Sequence, residues 1–179
     1  MSANDRPNHY SLNTPFGPCA FVYKKKPFRI GRLFLPGQAA ALPAGLRGST
    51  LCAGSGESAK AREVARRLEG YFNGELLKVP MQWLELGPLT ALQRKVLMAT
   101  AEIPYGHTVS YGDLAEKIDR PRAYRFVGST MGLNPVPLII PCHRVIKSNG
   151  SIGRFGGGAV LKRELLNLEK GNLCQGRES

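Results

Sequence analysis

The chain has 179 residues and a mass of 19.5 kDa, which suits one domain or two small ones sharing an interface. With 42% hydrophobic and 21% charged residues it is no disordered chain, and no apolar run reaches the ~18 residues of a membrane span. Lys plus Arg number 25 against 13 Asp plus Glu, a net charge of +12 that points to a polyanionic partner or to a plain solubility surface.

The N-terminus, Met1 to Tyr10, is polar and lacks the apolar stretch of a signal peptide, so the expected location is cytoplasmic, or nuclear in a eukaryote. Residues 10–36 read as extended. Phe16-Gly17-Pro18 is a turn signal, Cys19 to Tyr23 a short apolar run, Lys24 to Lys26 a charged hairpin turn, and Arg29 to Leu35 partly alternates. Residues 37–56, rich in Gly, Ala and Ser, read as a loop. Glu57 to Phe72 carries Ala61, Val64, Ala65, Leu68 and Phe72 at amphipathic helical spacing, stopped by Gly74. Residues 75–84 look extended again. These features predict an N-terminal α/β domain over 1–86, a short antiparallel sheet plus a helix, with no residues that suggest chemistry.

Composition shifts after Gly87-Pro88, and 87–179 is expected to be mainly helical. Thr90 to Ala101 sets Leu92, Val96, Leu97 and Thr100 on one face. Pro104-Tyr105-Gly106 is a turn. Ser110 is the N-cap of a short helix, with Asp113 completing a capping box and Leu114, Ala115 and Ile118 facing the core. Asp119-Arg120-Pro121 breaks it, and a second helix is expected from Pro121 to Met131. Two short helices joined by a tight turn make a helix-turn-helix signature. Arg122, Arg125 and Ser129 would share the outer face of the second helix, with Phe126, Val127 and Thr130 on the inner one. An ordinary helical hairpin with a solvated basic face meets the same spacing.

Placement of charge sharpens this. Residues 1–85 and 86–179 are each net +6, so no basic tail exists, yet Lys117, Arg120, Arg122, Arg125, Arg144, Lys147 and Arg154 are opposed only by Asp119 within 117–154. The apolar residues between them argue for a folded basic patch.

Asn134-Pro135-Val136-Pro137 is a stiff link, and Leu138-Ile139-Ile140 is expected as a buried extended segment. It delivers Pro141-Cys142-His143-Arg144-Val145. Neighbouring His and Arg lower a thiol's pKa, and the thiolate is the nucleophile. A buried cysteine beside a surface His-Arg pair fits the same residues. Cys19, Cys52 and Cys174 have no such neighbours, and the four cysteines form no CxxC pattern. Gly150 to Gly158 lacks the Lys-Ser/Thr of a phosphate-binding loop and would line a slot for a flat substrate. The last helix is expected over Gly158–Lys170, with Leu161, Leu165 and Leu168 as core stripe and Gly171 as stop. Glu169, next to Leu168, either turns inward to a histidine or is solvated.

The stretch Asn134 to Val145, N-P-V-P-L-I-I-P-C-H-R-V, resembles the active-site motif of the O6-alkylguanine-DNA alkyltransferases. Arg125-Phe126-Val127-Gly128 resembles their recognition helix with its arginine finger. Ser110-Tyr111, the Gly150–Gly158 loop and Leu165 to Glu169 align in order and spacing. The resemblance covers residues 89–173; the first 85 resemble the family only around Thr14-Pro15-Phe16-Gly17.

The resemblance implies a small N-terminal α/β domain followed by a helical, winged-helix-like domain. It implies a suicide reaction on double-stranded DNA containing O6-alkylguanine. Cys142 would accept the alkyl group, His143 would take its proton through a water, and Glu169 would orient His143. Asn134 would brace the motif's turn, and Tyr111 would hydrogen-bond the departing guanine. Arg125 would fill the gap left by the flipped base, with Arg122, Ala123, Tyr124, Gly128 and Ser129 along the DNA. Met131, Pro137, Arg144, Val145, Phe155 and Gly156 would form the substrate pocket. Phe155 and Gly156 stand where some relatives have tyrosine and serine, so stacking is kept and hydroxyl bonds are lost. No cofactor is expected, and His9 and Cys19 are too few for the zinc site of some relatives. A monomer is expected, with no membrane partner. A non-catalytic lesion sensor, a helix-turn-helix regulator and a thiol hydrolase are the competing readings.

Overall fold

A computed structural model describes residues 8–38 and 58–175. The expected loop over 37–56 and Cys52 fall almost wholly outside these, as does the polar start of the chain. The chain divides into two compact units, Met1–Gly87 and Pro88–Ser179.

In the first unit, β1 (Asn8–Thr14), β2 (Gly17–Lys25) and β3 (Phe28–Phe34) form an antiparallel meander in that order. Apolar side chains of the strands, Phe21 and Ile30 among them, are fully buried. Helix α1 (Ala59–Phe72) buries Ala61, Val64, Ala65, Leu68 and Phe72, the predicted stripe. Residues 75–84 are not a strand. Met81–Trp83 is a single 3₁₀ turn after Pro80, and only Leu84 bridges β3, at Ile30. Proline cannot donate to a ladder, and the Trp83 ring finds its partner edge-on at Phe28, 5.3 Å between centroids.

The second unit is helical. Helix α2 (Ala91–Ala101) starts from a Thr90–Gln93 capping box and buries Val96, Leu97 and Thr100. Helix α3 (Tyr111–Lys117) starts from the Ser110–Asp113 capping box read in the sequence. Its end is fixed by Asp119 at φ 61 and by the Arg120 N–H bonding back to the Ala115 carbonyl at 2.9 Å. Helix α4 (Tyr124–Met131) begins three residues later than expected. Pro121 disfavours helical geometry at Arg120, and Arg120 to Ala123 closes a separate turn through the Ala123 N–H at 2.8 Å. Arg122 therefore precedes α4 and is exposed in that turn.

The apolar run before Cys142 is buried but not extended. Leu138 and Ile139 form a turn closed by a Pro137–Ile140 bridge, and Leu138 is at φ 71. Two prolines and a local hydrogen-bond staple from Asn134 leave no room for a ladder. A bulky residue in the left-handed region costs on the order of 1–3 kcal/mol and persists only where surroundings fix it; here Val136, Leu138 and Ile140 are 0–2% exposed. Cys142–Arg144 is a 3₁₀ turn leading into β5 (Val145–Ile146), which pairs in parallel with β4 (Val109–Ser110). That pairing sets the Cys142 turn beside the start of α3. Helix α5 (Gly158–Gln175) runs through Gly171 rather than stopping there. Glycine inside a helix costs about 1 kcal/mol, and here Asn172 bonds the Tyr105 hydroxyl at 3.0 Å one residue further on.

Candidate active site

The site is built around one buried carboxylate. Glu169 projects from α5 and is fully buried. Its Oε1 accepts from His143 Nε2 at 2.8 Å and from Arg144 Nη2 at 2.9 Å. Its Oε2 accepts from Arg144 Nε and from the Gly106 N–H, both at 2.9 Å. Burial pushes the Glu169 carboxyl up, but the hydrogen bonds from His143 and Arg144 and their charges outweigh it and bring it down to about 2. The carboxylate is therefore ionised, and His143 Nε2 must carry the hydrogen it donates. Burial holds His143 below its usual pKa, against the raising effect of Glu169. At neutral pH the ring is uncharged, with Nδ1 as its basic nitrogen.

Cys142 lies one residue before this pair and is 6% exposed. Burial raises its thiol above the ordinary value. The Asn134 side chain, the Lys162 cation and the N–H groups of Cys142 and His143 pull it back. Asn134 staples the preceding turn: its Nδ2 donates to the Ile140 carbonyl at 2.8 Å and its Oδ1 accepts from Val136 N–H at 3.1 Å. Lys162, from α5, is fully buried, donates to the Val145 carbonyl and lies 5.9 Å from the Tyr111 ring centroid. Its own pKa falls to about 8 through burial, offset in part by the Cys142 charge.

An open cleft of about 990 Å³ adjoins this centre through Tyr111 and Phe155, and Cys142, His143 and Glu169 do not themselves line it. Its lining includes Tyr111, Tyr124, Arg125, Gly128, Ser129 and Met131 from α3 and α4, and Lys147, Arg154, Phe155 and Gly156 from the loop between β5 and α5. Two lining residues reach the buried centre. Phe155 packs edge-on to His143, 6.3 Å between centroids. The Tyr111 phenol is raised by burial and further by the Cys142 charge. Gly153, at φ 70, lets the loop lie on Tyr111: a Cβ there would sit 2.9 Å from the phenol oxygen. Arg125 rests 5.8 Å from the exposed Tyr124 ring. No group of three or more His, Cys, Asp or Glu with metal-binding proximity occurs among the described residues.

Residues 91–171 match the family model described as 6-O-methylguanine DNA methyltransferase, DNA binding domain. A methylated-DNA–protein-cysteine methyltransferase of Methanosarcina barkeri is 46% identical over 112 residues, which is 63% of this chain and 70% of that protein. The chain belongs to the methylated-DNA–protein-cysteine methyltransferase family. A relative of the same name from Mycobacterium bovis is 46% identical over 104 residues, 58% of this chain and 62% of its own length. The crystal structure of Mycobacterium tuberculosis OGT in complex with DNA superposes with a TM-score of 0.73 at 32% identity, covering 92% of this chain and 93% of that one. The family's mixed α/β architecture therefore extends over the N-terminal unit, where the sequence resemblance was loose.

Within this family member the predicted residues do not all meet at one surface. Cys142, His143, Glu169, Asn134 and Tyr111 converge as described. Arg125, Tyr124, Gly128, Ser129, Met131, Phe155 and Gly156 line the cleft, while Arg122 and Ala123 lie in the turn before α4. Arg144, expected in the pocket, instead turns inward: its Nη1 donates to the Ile103 carbonyl at 2.7 Å and the rest of its guanidinium clasps Glu169. With Glu169 buried and ionised, loss of Arg144 from the pair would leave an uncompensated buried charge. Pro137 and Val145 are buried and do not line the cleft. The basic patch is correspondingly smaller, because Lys117 also pairs with Glu102 at 2.8 Å. Lys162 was missed. Its only sequence signal is a charge one residue after the core Leu161, the same signal that exposed Glu169 after Leu168.

Proposed function

We propose that this chain repairs O6-alkylguanine in double-stranded DNA by moving the alkyl group irreversibly to Cys142, with the lesion base flipped into the cleft. The observation that carries this reading is a cysteine placed beside a buried His–Glu–Arg network that an aromatic and basic cleft adjoins through Tyr111 and Phe155. The reaction breaks the bond between guanine O6 and the alkyl carbon and makes one between that carbon and sulfur. His143, through a water, takes the thiol proton, and Glu169 stabilises the imidazolium that forms. Lys162 supports the thiolate electrostatically. The electron pair leaves on the guanine, whose developing charge meets the Tyr111 hydroxyl. The product is a thioether that no residue of the site hydrolyses, so each molecule acts once.

The domain assignment follows the same logic. Residues 87–179 bind DNA and transfer the group, and 1–86 form the N-terminal α/β domain. Arg125 enters the stack where the base has left, while Arg120, Arg122, Lys147 and Arg154, all exposed, meet phosphates. Extrusion costs a few kcal/mol of stacking, less for an ill-paired lesion. Ala123, Tyr124, Gly128 and Ser129 follow the backbone, and Met131, Phe155 and Gly156 hold the flat base. The protein works as a monomer, without a cofactor, in the cytoplasm or, in a eukaryote, the nucleus; no described helix is long and apolar enough to cross a membrane.

The test is transfer of labelled methyl from duplex DNA. Cys142→Ser should bind the duplex with affinity within about twofold of the parent yet acquire no label, since a hydroxyl at its ordinary pKa is a poor nucleophile at neutral pH. Label on the serine variant would move the acceptor to another residue.

A further inference from the structure

The Ile103–His107 turn lies outside the cleft, yet it contacts the buried network at both ends. The Ile103 carbonyl accepts from Arg144 Nη1 at 2.7 Å, and the Gly106 N–H donates to Glu169 Oε2 at 2.9 Å. Between them the Tyr105 ring lies 5.5 Å from the Arg144 guanidinium, and its hydroxyl accepts from Asn172 of α5 at 3.0 Å. The carboxylate is thus held from two flanks. Arg144 spans both oxygens, His143 takes Oε1, and Gly106 takes Oε2.

We propose that Gly106 is a positioning residue for alkyl transfer, whose backbone N–H holds the Glu169 carboxylate in the orientation that keeps its other oxygen on His143. The proposal rests on the reading of His143 and Glu169 as base and orienter. Without the Gly106 donor, Oε2 is held through Arg144 Nε, and the carboxylate shifts with the guanidinium that grips both of its oxygens. The oxygen facing His143 then moves with it. Glycine is needed for a steric reason. Gly106 sits at φ 71, and a Cβ there would fall 2.1 Å from Leu173 Cδ1 and 3.3 Å from the Glu169 carbonyl oxygen. Leu173 is 40% exposed and can swing aside. The α5 backbone at Glu169 cannot, so a larger residue would lift the turn off the helix and lengthen the amide–carboxylate bond. A purely structural turn would need the left-handed conformation, but not a donor aimed at this carboxylate.

The experiment exchanges the Gly106 amide for an ester, with glycolate incorporated at that position of the full chain, which removes the donor and leaves the backbone freedom intact. Single-turnover methyl transfer from duplex O6-methylguanine is followed against DNA concentration. The expected result is a maximal rate lowered about tenfold, with the half-saturating DNA concentration within about twofold of the parent. In a Glu169→Gln background the ester should cause no further loss, because both changes act through one carboxylate. Gly106→Ala should act in the same direction. An independent reading comes from NMR: the Gly106 amide proton should move upfield in Glu169→Gln. A full maximal rate in the ester, a loss confined to DNA affinity, an equal loss in the Glu169→Gln background, or an unmoved amide signal would each overturn the proposal. If Glu169→Gln itself keeps the full rate, the underlying reading of Glu169 fails, and this proposal falls with it for that separate reason.

Discussion

Glu169 shows how one side chain links stability to chemistry. Its folded pKa lies near 2 against an ordinary 4.5, so the stability it contributes is complete above the ordinary value and is lost as pH falls from there towards 2. His143, held below its ordinary 6.5 by burial, adds a loss that begins higher, because the unfolded chain takes up a proton that the folded ring resists. Urea midpoints measured across pH 7 to 2 should therefore fall in both windows, and Glu169→Gln should flatten the lower one. A parent and variant with parallel curves below pH 4.5 would contradict the assigned charge. At neutral pH the same variant should slow transfer while sparing DNA affinity. Lys162 permits a separate expectation. Its cation lowers the Cys142 thiol, so Lys162→Met should move the rise of transfer rate with pH to more alkaline values. A rise displaced by one pH would mean about tenfold fewer thiolates at neutral pH. An unmoved profile would leave Lys162 as a packing residue. At this scale the sequence was informative about Cys142 and His143, because a Cys-His-Arg string after apolar residues is unusual. It placed Arg144 in the pocket and passed over Lys162, because a basic residue looks the same whether it faces a buried carboxylate or a phosphate.

Elements were legible where their ends carry chemistry. The Ser110–Asp113 box fixes the start of α3 and with it the placement of Tyr111, and both bonds of the box are present at 3.0 and 3.2 Å. Ser110→Ala should cost about 1 kcal/mol in thermal or urea unfolding; no measurable loss would mean the cap is redundant with packing. Boundaries without such signals were misjudged. Helix α4 starts late because Pro121 serves a turn rather than a helix, and α5 passes Gly171 because tertiary contacts at Asn172 and Leu173 outweigh glycine's propensity. The run before Cys142 was read as extended from its apolar continuity, while the Asn134 staple that turns it is a side-chain bond no periodicity reveals. The roles proposed for Arg125 on α4 and for Lys147 after β5 can be told apart. Arg125→Ala should slow repair of a lesion in a stable pair more than one in an unstable pair or in single-stranded DNA, since a finger stabilises the flipped state. Lys147→Ala should weaken all three alike and flatten the salt dependence. Uniform loss in Arg125→Ala, through affinity alone, would make Arg125 one more phosphate contact.

Across the whole molecule, charge and chemistry are distributed unequally. Both units carry the same net excess of positive charge, yet every residue of the buried network and the cleft belongs to Pro88–Ser179. Composition alone left a solubility surface and a polyanion-binding one equally open. The exposed arginines and lysine that border an aromatic cleft decide for the second. The α/β unit at the N-terminus was legible as a fold because a turn signal, an apolar run and a partly alternating segment mark its strands and its helix carries a clean stripe. Its part in the reaction was not, because none of its motifs carries chemistry. The central claim is that a single cysteine is consumed irreversibly, and it makes a stoichiometric demand on the intact chain. With duplex O6-methylguanine in several-fold molar excess, peptide mass spectrometry should find one added methyl on the peptide that contains Cys142, and repair should cease at one lesion per protein molecule. Repair continuing beyond one equivalent, or a methyl carried on any other residue, would contradict the account.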